Sequence, residues 1–307
     1  MTSPSQRPPA GDNDVTVVII THNRCDELRR TLTHMTQLPD AAPIIVADNG
    51  SGDGTADMVR MTFPSVTLLE FDANLGAIGR NRAMELVNTE YVAFCDDDTR
   101  WQPGALTIGA TVLSDYPSIG SVTGKCMVAP SLVEDPITPE FRDSPIARPT
   151  WLPGPALLGV MAGLSMFRVA AFRQVGGFCE KMWLGGEEEL LALDLASAGW
   201  WMVWEESMVI HHEPSVSRQA TRRRQLGIRN TLWTLWLRRP VRSAVRRSHA
   251  VLASAPRDMK TVSAVVEAAR SAPWVLRHRQ VVPPHVEEGL VLLEAPQSTS
   301  KARRYVG

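Results

Sequence analysis

Three consecutive aspartates, Asp96, Asp97 and Asp98, directly follow an apolar run, with no basic residue between the run and the triplet. Carboxylates this close together repel one another and need a cation. Mg²⁺ and Mn²⁺ take carboxylate oxygens, and substrate phosphates and water usually complete their coordination. The triplet is therefore suited to hold a diphosphate through a divalent ion, with a solvated acidic turn as the alternative.

Two further polar residues can contact the same kind of ligand. Asp48, in the segment VADNGSGDGT, can accept hydrogen bonds from a base or a ribose, and the glycines near it let the backbone approach a ligand closely. Arg80 lies one helical turn beyond Asn74-x-Gly76 and can contact a phosphate through its planar guanidinium. The alternatives are a turn before a helix for Asp48 and a surface ion pair for Arg80.

A run of three glutamates offers a candidate general base. Glu187, Glu188 and Glu189 follow Gly185-Gly186 and lie near Trp183, in the first turn of a predicted helix. A carboxylate at the edge of a cleft, beside apolar surface, can take a proton from a substrate. Stabilisation of the helix N-terminus by negative charge is the alternative explanation for the same residues.

The elements that must carry these residues alternate between strands and helices. Continuous β-branched and apolar runs are typical of strands buried on both faces, as in a parallel sheet. Helices are predicted from about Asp26, through Met58 and Val59, and over residues 77–87. The predicted strands are Val15–Ile20, Ile44–Ala47, Val66–Phe71 and Tyr91–Phe94. This alternation indicates an α/β fold with a doubly wound, mostly parallel sheet, at whose carboxyl edge ligands bind.

The second half of the predicted fold is less regular. Residues 129–155 hold seven prolines and are expected to form an irregular segment or a lid. A helix is predicted from about Glu187, and a strand over Trp200–Trp204 that continues toward His211 and His212. Either histidine can supply an imidazole to a metal, with a packed core histidine as the alternative.

Length and composition place the chain among globular proteins. Its 307 residues are 44% hydrophobic and 21% charged, which excludes a disordered or fibrous protein. The sequence has no run of 18 apolar residues, and residues 1–13 are predicted to be a disordered leader without the apolar core of a signal peptide. The four cysteines have no C-x-x-C or metal-finger spacing. These features predict a cytoplasmic protein.

Charge is divided unevenly along the chain. Residues 1–213 carry 14 basic and 28 acidic side chains, whereas residues 214–307 carry 18 and 5. The stretch 218–247 has ten arginines, no acidic residue, and the tryptophans Trp233 and Trp236, which is typical of a basic amphipathic helix. Such a helix suits peripheral contact with the inner face of a membrane, or packing against the acidic domain with its tryptophans in the core. Nucleic acid is disfavoured as a partner because no recognition fold accompanies the charge.

In their order along the chain, the motifs resemble those of family 2 glycosyltransferases with the GT-A fold. The resemblance covers about residues 15–218 and rests on VVIITHNR, VADNGSGDGT, NLGAIGRNR, FCDDDT, GGF-x-E with GGEEELLALDLASAGW, and V-I-H-H. It implies a Rossmann-like catalytic domain, expected over residues 14–215, that binds a nucleotide sugar. A basic, mainly helical region over 216–295 and a flexible tail over 296–307 are expected to follow.

The resemblance also implies roles for individual residues. Asp98 would ligate Mn²⁺ or Mg²⁺ with His211, for which His212 is a competitor. Glu188 would be the catalytic base, with Glu187 and Glu189 as competitors. The residues expected to bind the nucleotide sugar are Thr21, Asn23, Arg24, Asp48 at the base, Asn74, Gly76, Arg80, Asp96 at the ribose, Asp97, Trp183 and Glu187.

The activity implied is transfer of a hexosyl or deoxyhexosyl group, with inversion, from a UDP, dTDP or GDP sugar to a hydroxyl. The acceptor would be a glycan, a lipid-linked glycan or a small molecule. One alternative is a sugar-nucleotide nucleotidylyltransferase, for which a Gly-rich loop with Arg and Lys is expected where THNRCDEL stands. A non-catalytic GT-A-like binding module is the other. The lack of membrane-length apolar runs and of a Q-x-x-R-W motif disfavours a processive polysaccharide synthase.

Overall fold

The computed structural model of the chain describes residues 14–214 and 220–300. The predicted leader 1–13 and the predicted domain boundary at residues 215 and 216 lie outside the described residues. The described strands are β1 (Val15–Thr21), β2 (Ile44–Asp48), β3 (Thr67–Glu70), β4 (Tyr91–Asp96), β5 (Thr99–Trp101), β6 (Ile119–Val128), β7 (Val133–Glu134), β8 (Ala156–Leu157), β9 (Ser165–Arg168) and β10 (Trp201–His212). They form one sheet in the order β3-β2-β1-β4-β9-β6-β10-β5, with β7 beside β6 and β8 beside β10.

Helices pack on both faces of this sheet and continue beyond it. They are α1 (Cys25–Met35), α2 (Thr55–Thr62), α3 (Ile78–Ala83), α4 (Ala105–Asp115), α5 (Ile137–Arg142), α6 (Val169–Gln174), α7 (Glu187–Ser197), α8 (Ala220–Arg238), α9 (Val241–Ser254), α10 (Met259–Arg270), α11 (Ala272–His278) and α12 (Pro284–Thr299), with 3₁₀ helices at Ala162–Leu164 and Glu180–Met182. In the described part of the chain, no helix has both the length and the hydropathy needed to cross a bilayer.

The first half of the sheet is parallel, as predicted, and brings the polar loops to one edge. Val17 and Ile19 of β1 pack into one core while Val18 packs into another on the opposite face, so the strand is buried on both sides. In the parallel ladders Thr21 lies opposite Asp48 of β2, and Ile20 lies opposite Asp96 of β4. The residues that follow these three strands therefore meet at the carboxyl edge.

The second half of the sheet is mixed, so the prediction of a mostly parallel sheet holds only for β1 to β4. Strand β9 runs antiparallel to both β4 and β6, and β10 is parallel to β6 and antiparallel to β5. Strand β5, which pairs with β10, begins three residues after Asp96, where β4 ends. Asp97 and Asp98 therefore form a tight turn between β4 and β5.

Several predicted boundaries differ from the structure. Strand β10 extends to His212, well beyond the predicted Trp200–Trp204, and the helix predicted over 77–87 ends at Ala83. The proline-rich segment 129–155 contains the short strand β7 and helix α5 and is therefore not wholly irregular. The predicted tail 296–307 is helical up to residue 299, although Pro296 lies inside α12, and the helix ends three residues after this proline. Residues 301–307 lie outside the described residues.

The basic stretch is divided between two helices, because Pro240 ends α8 and begins α9. Trp233 of α8 is only 3% exposed and belongs to a third apolar core with residues of α10 and α11. Arg238 of α8 pairs with Asp194 of α7, and its Nη2 lies 3.1 Å from Asp194 Oδ2. The alternative in which this helix packs against the acidic domain is therefore confirmed for α8.

Candidate active site

The loops that follow β1 and β2 are joined by hydrogen bonds into one polar wall. The backbone N–H of Asn23 donates to Ser51 Oγ (2.8 Å), and Asn23 Oδ1 accepts from the N–H of Gly52 (2.8 Å). Asn23 adopts φ 52°, a left-handed conformation that asparagine tolerates better than most residues. Asp48 is buried, and its Oδ1 accepts from the N–H of Ser51 (3.1 Å). The loops expected to hold the nucleotide therefore support each other before any ligand binds.

Arg24 neutralises two of the three aspartates in the turn after β4. Its Nη1 lies 2.6 Å from Asp97 Oδ1 and 3.1 Å from Asp98 Oδ2. Thr21 Oγ1 donates a further bond to Asp97 Oδ2 (2.9 Å). Burial raises the pKa of Asp97 to about 7, although the charge of Arg24 opposes that rise. Asp97 therefore lies inside the protein as a support for Arg24 and the turn.

His212 is the histidine that lies beside the acidic turn. Its Nε2 is 3.6 Å from Asp98 Oδ1. The surroundings of His211 are different. Burial lowers the pKa of its imidazole, and the charges of His34 and Arg100 lower it further. Adjacent side chains of a strand point to opposite faces, so only one of the two histidines can face Asp98. His211 was predicted to lie on the metal side, and the structure places His212 beside Asp98 instead.

The side chains around His212 fit a divalent ion. Asp98 and His212 offer a carboxylate oxygen and an imidazole nitrogen, a donor pair that Mn²⁺ accepts. His212 also belongs to a separate group with Cys126 and Asp135, whose ligand-type atoms all lie within 4.8 Å of one another. Burial raises the pKa of the Cys126 thiol to about 12, and a bound metal ion would lower it. The donor types beside His212 are therefore the carboxylate of Asp98 and, in the separate group, a carboxylate and a thiol.

Arg80 is buried between aromatic rings and acidic side chains. Its guanidinium lies 5.8 Å from the centre of the Phe94 ring and 5.6 Å from that of Phe178, and it pairs with Asp96. Glu187 is buried as well, and burial raises its pKa while the charge of Arg80 opposes the rise. Among the described residues, Arg80 Nε and Glu187 Oε2 have no hydrogen-bond partner. A buried polar atom without a partner costs free energy, and a polar ligand or a water would satisfy it.

Glu188 is held by the backbone of the 3₁₀ helix at Ala162–Leu164. Its Oε1 accepts a hydrogen bond from the N–H of Ala162. Burial raises the pKa of Glu188 to about 8, and the negative charge of Glu187 adds to the effect. A carboxyl with this pKa exchanges its proton near neutral pH, which is the property required of a general base.

Trp183 joins the loop before α3 to the loop before α7. Its Nε1 donates to the carbonyl of Asn74 (2.9 Å), and its own carbonyl accepts from the N–H of Ala77 (2.7 Å). A Cβ on Gly76 would lie 2.3 Å from the carbonyl oxygen of Trp183, and Gly76 has φ +60°, so glycine is required there. The guanidinium of Arg222, from α8, lies 4.9 Å from the centre of the Trp183 ring.

Three residues of this region are absent from the predicted set: Ala162, Gly163 and Asn230. A Cβ on Gly163 would lie 2.8 Å from Asp96 Oδ2, so this glycine lets the carboxylate approach the backbone. Asn230 is buried in α8, and its Nδ2 donates to the carbonyl of Met182 (2.9 Å), in the segment that leads into α7. An asparagine on the apolar face of a predicted helix is the signal that marks Asn230; Ala162 and Gly163 have no comparable signal.

The sheet order, the acidic turn after β4 and the glutamates that begin α7 define a nucleotide-sugar-dependent transferase with the GT-A fold. The family model described as glycosyl transferase family 2 matches residues 16–176, and the chain belongs to that family. It is therefore a glycosyltransferase with a nucleotide-sugar donor, as its motifs predicted. The nucleotidylyltransferase and the non-catalytic binding module are set aside.

Relatives and solved structures agree with this family. The chain is 28% identical over 295 residues to the N-acetylglucosaminyl-diphospho-decaprenol L-rhamnosyltransferase of Mycobacterium tuberculosis, covering 78% of this chain and 94% of the relative. It matches the mannosyltransferase PcManGT from Pyrobaculum calidifontis, solved with GDP-Man and Mn²⁺, with a TM-score of 0.56 and 18% identity over 93% of this chain and 87% of that one. GalNAc-T7, solved with UDP, GalNAc and Mn²⁺, gives a TM-score of 0.61 with 13% identity over 86% and 56% of the two chains. Both structures share the fold of this chain.

Proposed function

We propose that the chain transfers a hexosyl or deoxyhexosyl group, with inversion and with the help of a divalent ion, to a hydroxyl of a lipid-linked glycan. One observation carries this proposal. Asp96, at the end of β4, and the partly buried Glu188 contact the same 3₁₀ helix, Asp96 at Gly163 and Glu188 at Ala162. This proximity supports a donor site beside a base, as a single displacement requires.

The donor is proposed to lie along the carboxyl edge of β1, β2 and β4. Asp48 would contact the base, in the pocket formed with Thr21 and Asn23, and Asp96 would contact the ribose. Arg80, whose Nε has no hydrogen-bond partner, would contact the diphosphate. The other residues proposed to shape or position this donor site are Arg24, Asn74, Gly76, Asp97, Trp183 and Glu187.

Asp98 and His212 are proposed to hold Mn²⁺ or Mg²⁺. The donor types at this corner support the proposal, and so does the presence of Mn²⁺ in two solved structures with the same fold. When bound, the ion supplies positive charge that stabilises the departing nucleoside diphosphate. Arg24 shares Asp98 with this site, because its guanidinium contacts Oδ2 of the carboxylate while His212 lies near Oδ1.

Glu188 is proposed to accept the proton of the acceptor hydroxyl. The hydroxyl oxygen attacks the anomeric carbon, the bond from that carbon to the phosphate oxygen breaks, and the electron pair leaves with the nucleoside diphosphate. The N–H of Ala162 fixes Oε1 of Glu188, which leaves Oε2 as the atom assigned to the proton. Because the attack and the departure occur on opposite faces of the sugar, the configuration inverts.

The lipid-linked acceptor is inferred from the relative that this chain covers almost in full. That enzyme is named for a substrate in which N-acetylglucosamine is joined to decaprenol through a diphosphate. The similarity extends past the family model, since 78% of this chain is matched and the model covers only residues 16–176. A free glycan and a small-molecule alcohol are the other acceptors to include in a test.

Transfer assays with UDP, dTDP and GDP sugars test the proposed function. Glu188→Gln is expected to lower kcat by about 10²–10⁴-fold while the affinity for the nucleoside diphosphate changes little. Glu189→Gln is the matched control and is expected to keep most of the activity. If the two variants transfer sugar equally well, Glu188 is not the base.

A further inference from the structure

Exposed apolar side chains are concentrated in one part of the C-terminal region. The described part of the chain exposes fourteen large apolar side chains, and half of them lie within residues 241–281. These seven are Val241, Val245, Met259, Val262, Val266, Leu276 and Val281. Met259 is 77% exposed and Leu276 is 73% exposed. Exposed apolar side chains are thus concentrated in 41 residues, which makes this segment a candidate binding surface.

The charged side chains exposed in the same segment are all basic. They are Arg242, Arg246, Arg257, Lys260, Arg270 and Arg277, of which Arg246 also pairs with Glu294 of α12. The segment has two acidic residues, Asp258 and Glu267, and both are partly buried and paired with arginines of α8, Arg224 and Arg229. The outward charge of this segment is therefore positive, although the chain as a whole is close to neutral.

Helical spacing puts the apolar and basic residues on the same faces. On α9, Val241, Arg242, Val245 and Arg246 fall on one side of the helix, and Ala244 and Val251 are buried. On α10, Met259, Lys260, Val262, Val266 and Arg270 share one face, whereas Ala264 and Ala268 are buried in the core shared with α8. Helices α9, α10 and α11 each contact α8. Their exposed faces are therefore turned away from it.

From these features we infer that the exposed faces of α9, α10 and α11 form a docking surface for an anionic lipid bilayer. Aliphatic side chains among arginines and lysines match the two layers of such a surface, acyl chains and negatively charged headgroups. Nucleic acid would neutralise the arginines but would leave seven aliphatic side chains in water. The inference deepens the proposed function and rests on it for one point, that the acceptor carries a lipid.

The docking surface differs from the predicted contact through residues 218–247. Several arginines of α8 are engaged inside the protein, Arg229 and Arg238 among them, and Trp233 of α8 is buried. The bilayer contact is therefore assigned to the helices that follow α8, beginning at Val241. Of the basic residues shared by segments 218–247 and 241–281, Arg242 and Arg246 are the exposed ones.

Co-sedimentation of the full chain with vesicles tests the docking surface. We expect binding to equimolar phosphatidylglycerol and phosphatidylcholine, weakening with added salt, and little binding to phosphatidylcholine alone. Met259→Ser with Lys260→Gln is expected to lower the partition coefficient by about tenfold, of which roughly fivefold comes from the lost charge. Val245→Ser with Arg242→Gln, on α9, is expected to have an effect of similar size.

The matched control is Met61→Ser with Arg60→Gln, an adjacent methionine and arginine exposed on α2, which is expected to bind vesicles as the unmodified chain does. Sugar transfer to a water-soluble acceptor without vesicles is expected to be the same for all of these variants. Failure of that transfer in every chain contradicts the proposed function and leaves the vesicle result to be judged separately. Equal binding to both vesicle types, or equal loss in the α2 control, overturns the docking surface. The docking surface is also overturned if the α10 variant binds RNA more weakly than the unmodified chain does but binds vesicles equally well.

Discussion

The carboxylates of Asp96 and Glu188 lie against consecutive residues of one 3₁₀ helix. Glu188 Oε1 accepts the N–H of Ala162, and the next residue, Gly163, lies so close to Asp96 that a Cβ there would be 2.8 Å from Oδ2. One carboxylate follows β4 and the other begins α7, so the helix fixes two elements that are far apart in the chain. This relationship connects the proposed donor site to the proposed base.

The pH dependence of transfer is expected to follow Glu188. Its pKa is raised to about 8, and a base acts only in its ionised form. With saturating Mn²⁺, kcat/KM should rise about tenfold per pH unit well below pH 8 and become level above it. The measurement is a pH–rate profile for the unmodified chain and for Glu188→Asp, whose profile should be displaced. A rate that is level from pH 6 to pH 9 in both would contradict the assignment.

Stability should also depend on pH through Glu188. The folded state binds this proton more tightly than the unfolded state, so stability is fully present below about pH 4.5 and falls as pH rises toward 8. Glu188→Gln removes this titration. Its free energy of unfolding, relative to that of the unmodified chain, is therefore expected to increase from pH 5 to pH 9 by on the order of 3 kcal/mol. Urea unfolding at both pH values measures the difference. Glu189→Gln is the control. If the difference in free energy of unfolding between Glu188→Gln and the unmodified chain becomes smaller as pH rises, the raised pKa of Glu188 is contradicted.

The two adjacent histidines are expected to differ sharply. His212→Ala removes the imidazole beside Asp98, whereas His211→Ala removes one that is influenced by His34 and Arg100. The concentration of Mn²⁺ that gives half-maximal transfer should rise about 10–100-fold in His212→Ala. It should change little in His211→Ala. The reverse order would restore His211 as the metal-side residue.

Gly163→Ala tests the close approach of Asp96 to the 3₁₀ helix. The added methyl must displace the carboxylate, because its nearest atom is at 2.8 Å, so the KM for the donor is expected to rise about tenfold. Gly159→Ala, four residues earlier, is the control, since its Cβ would meet nothing closer than 4.0 Å. Thermal unfolding shows whether both variants keep the fold. Equal KM values for the two would mean that Asp96 does not contact the donor.

The first half of the fold was predictable because its strands are continuous apolar runs whose polar loops must meet at the carboxyl edge. Thr21, Asp48 and Asp96 therefore lie together as expected. The choice between His211 and His212 was not predictable. The pairing of β10 with β6 shifts register between Glu205 and Val209, and such an irregularity changes which side chains face which way. Counting alternate residues from Trp201 therefore does not tell on which face of the sheet the side chain of residue 211 lies.

Other parts of the site depend on contacts that have no local signal. Ala162 meets a residue 26 positions later, and Gly163 meets one 67 positions earlier. Arg24 approaches Asp97 and Asp98 because β1 and β4 are neighbours in the sheet, which sequence patterns indicate only as a class of topology. The sequence thus predicts which loops meet but not which side chains neutralise one another.

Binding of nucleoside diphosphates, measured by titration calorimetry with and without Mn²⁺, addresses the central claim most directly. For the unmodified chain, Mn²⁺ is expected to strengthen the binding of UDP, dTDP or GDP by at least about tenfold. For Asp98→Ala the nucleotide is expected to bind with the same affinity whether or not Mn²⁺ is present. If Mn²⁺ has no effect on the unmodified chain, or the same effect on both proteins, then Asp98 does not link an ion to the donor's diphosphate.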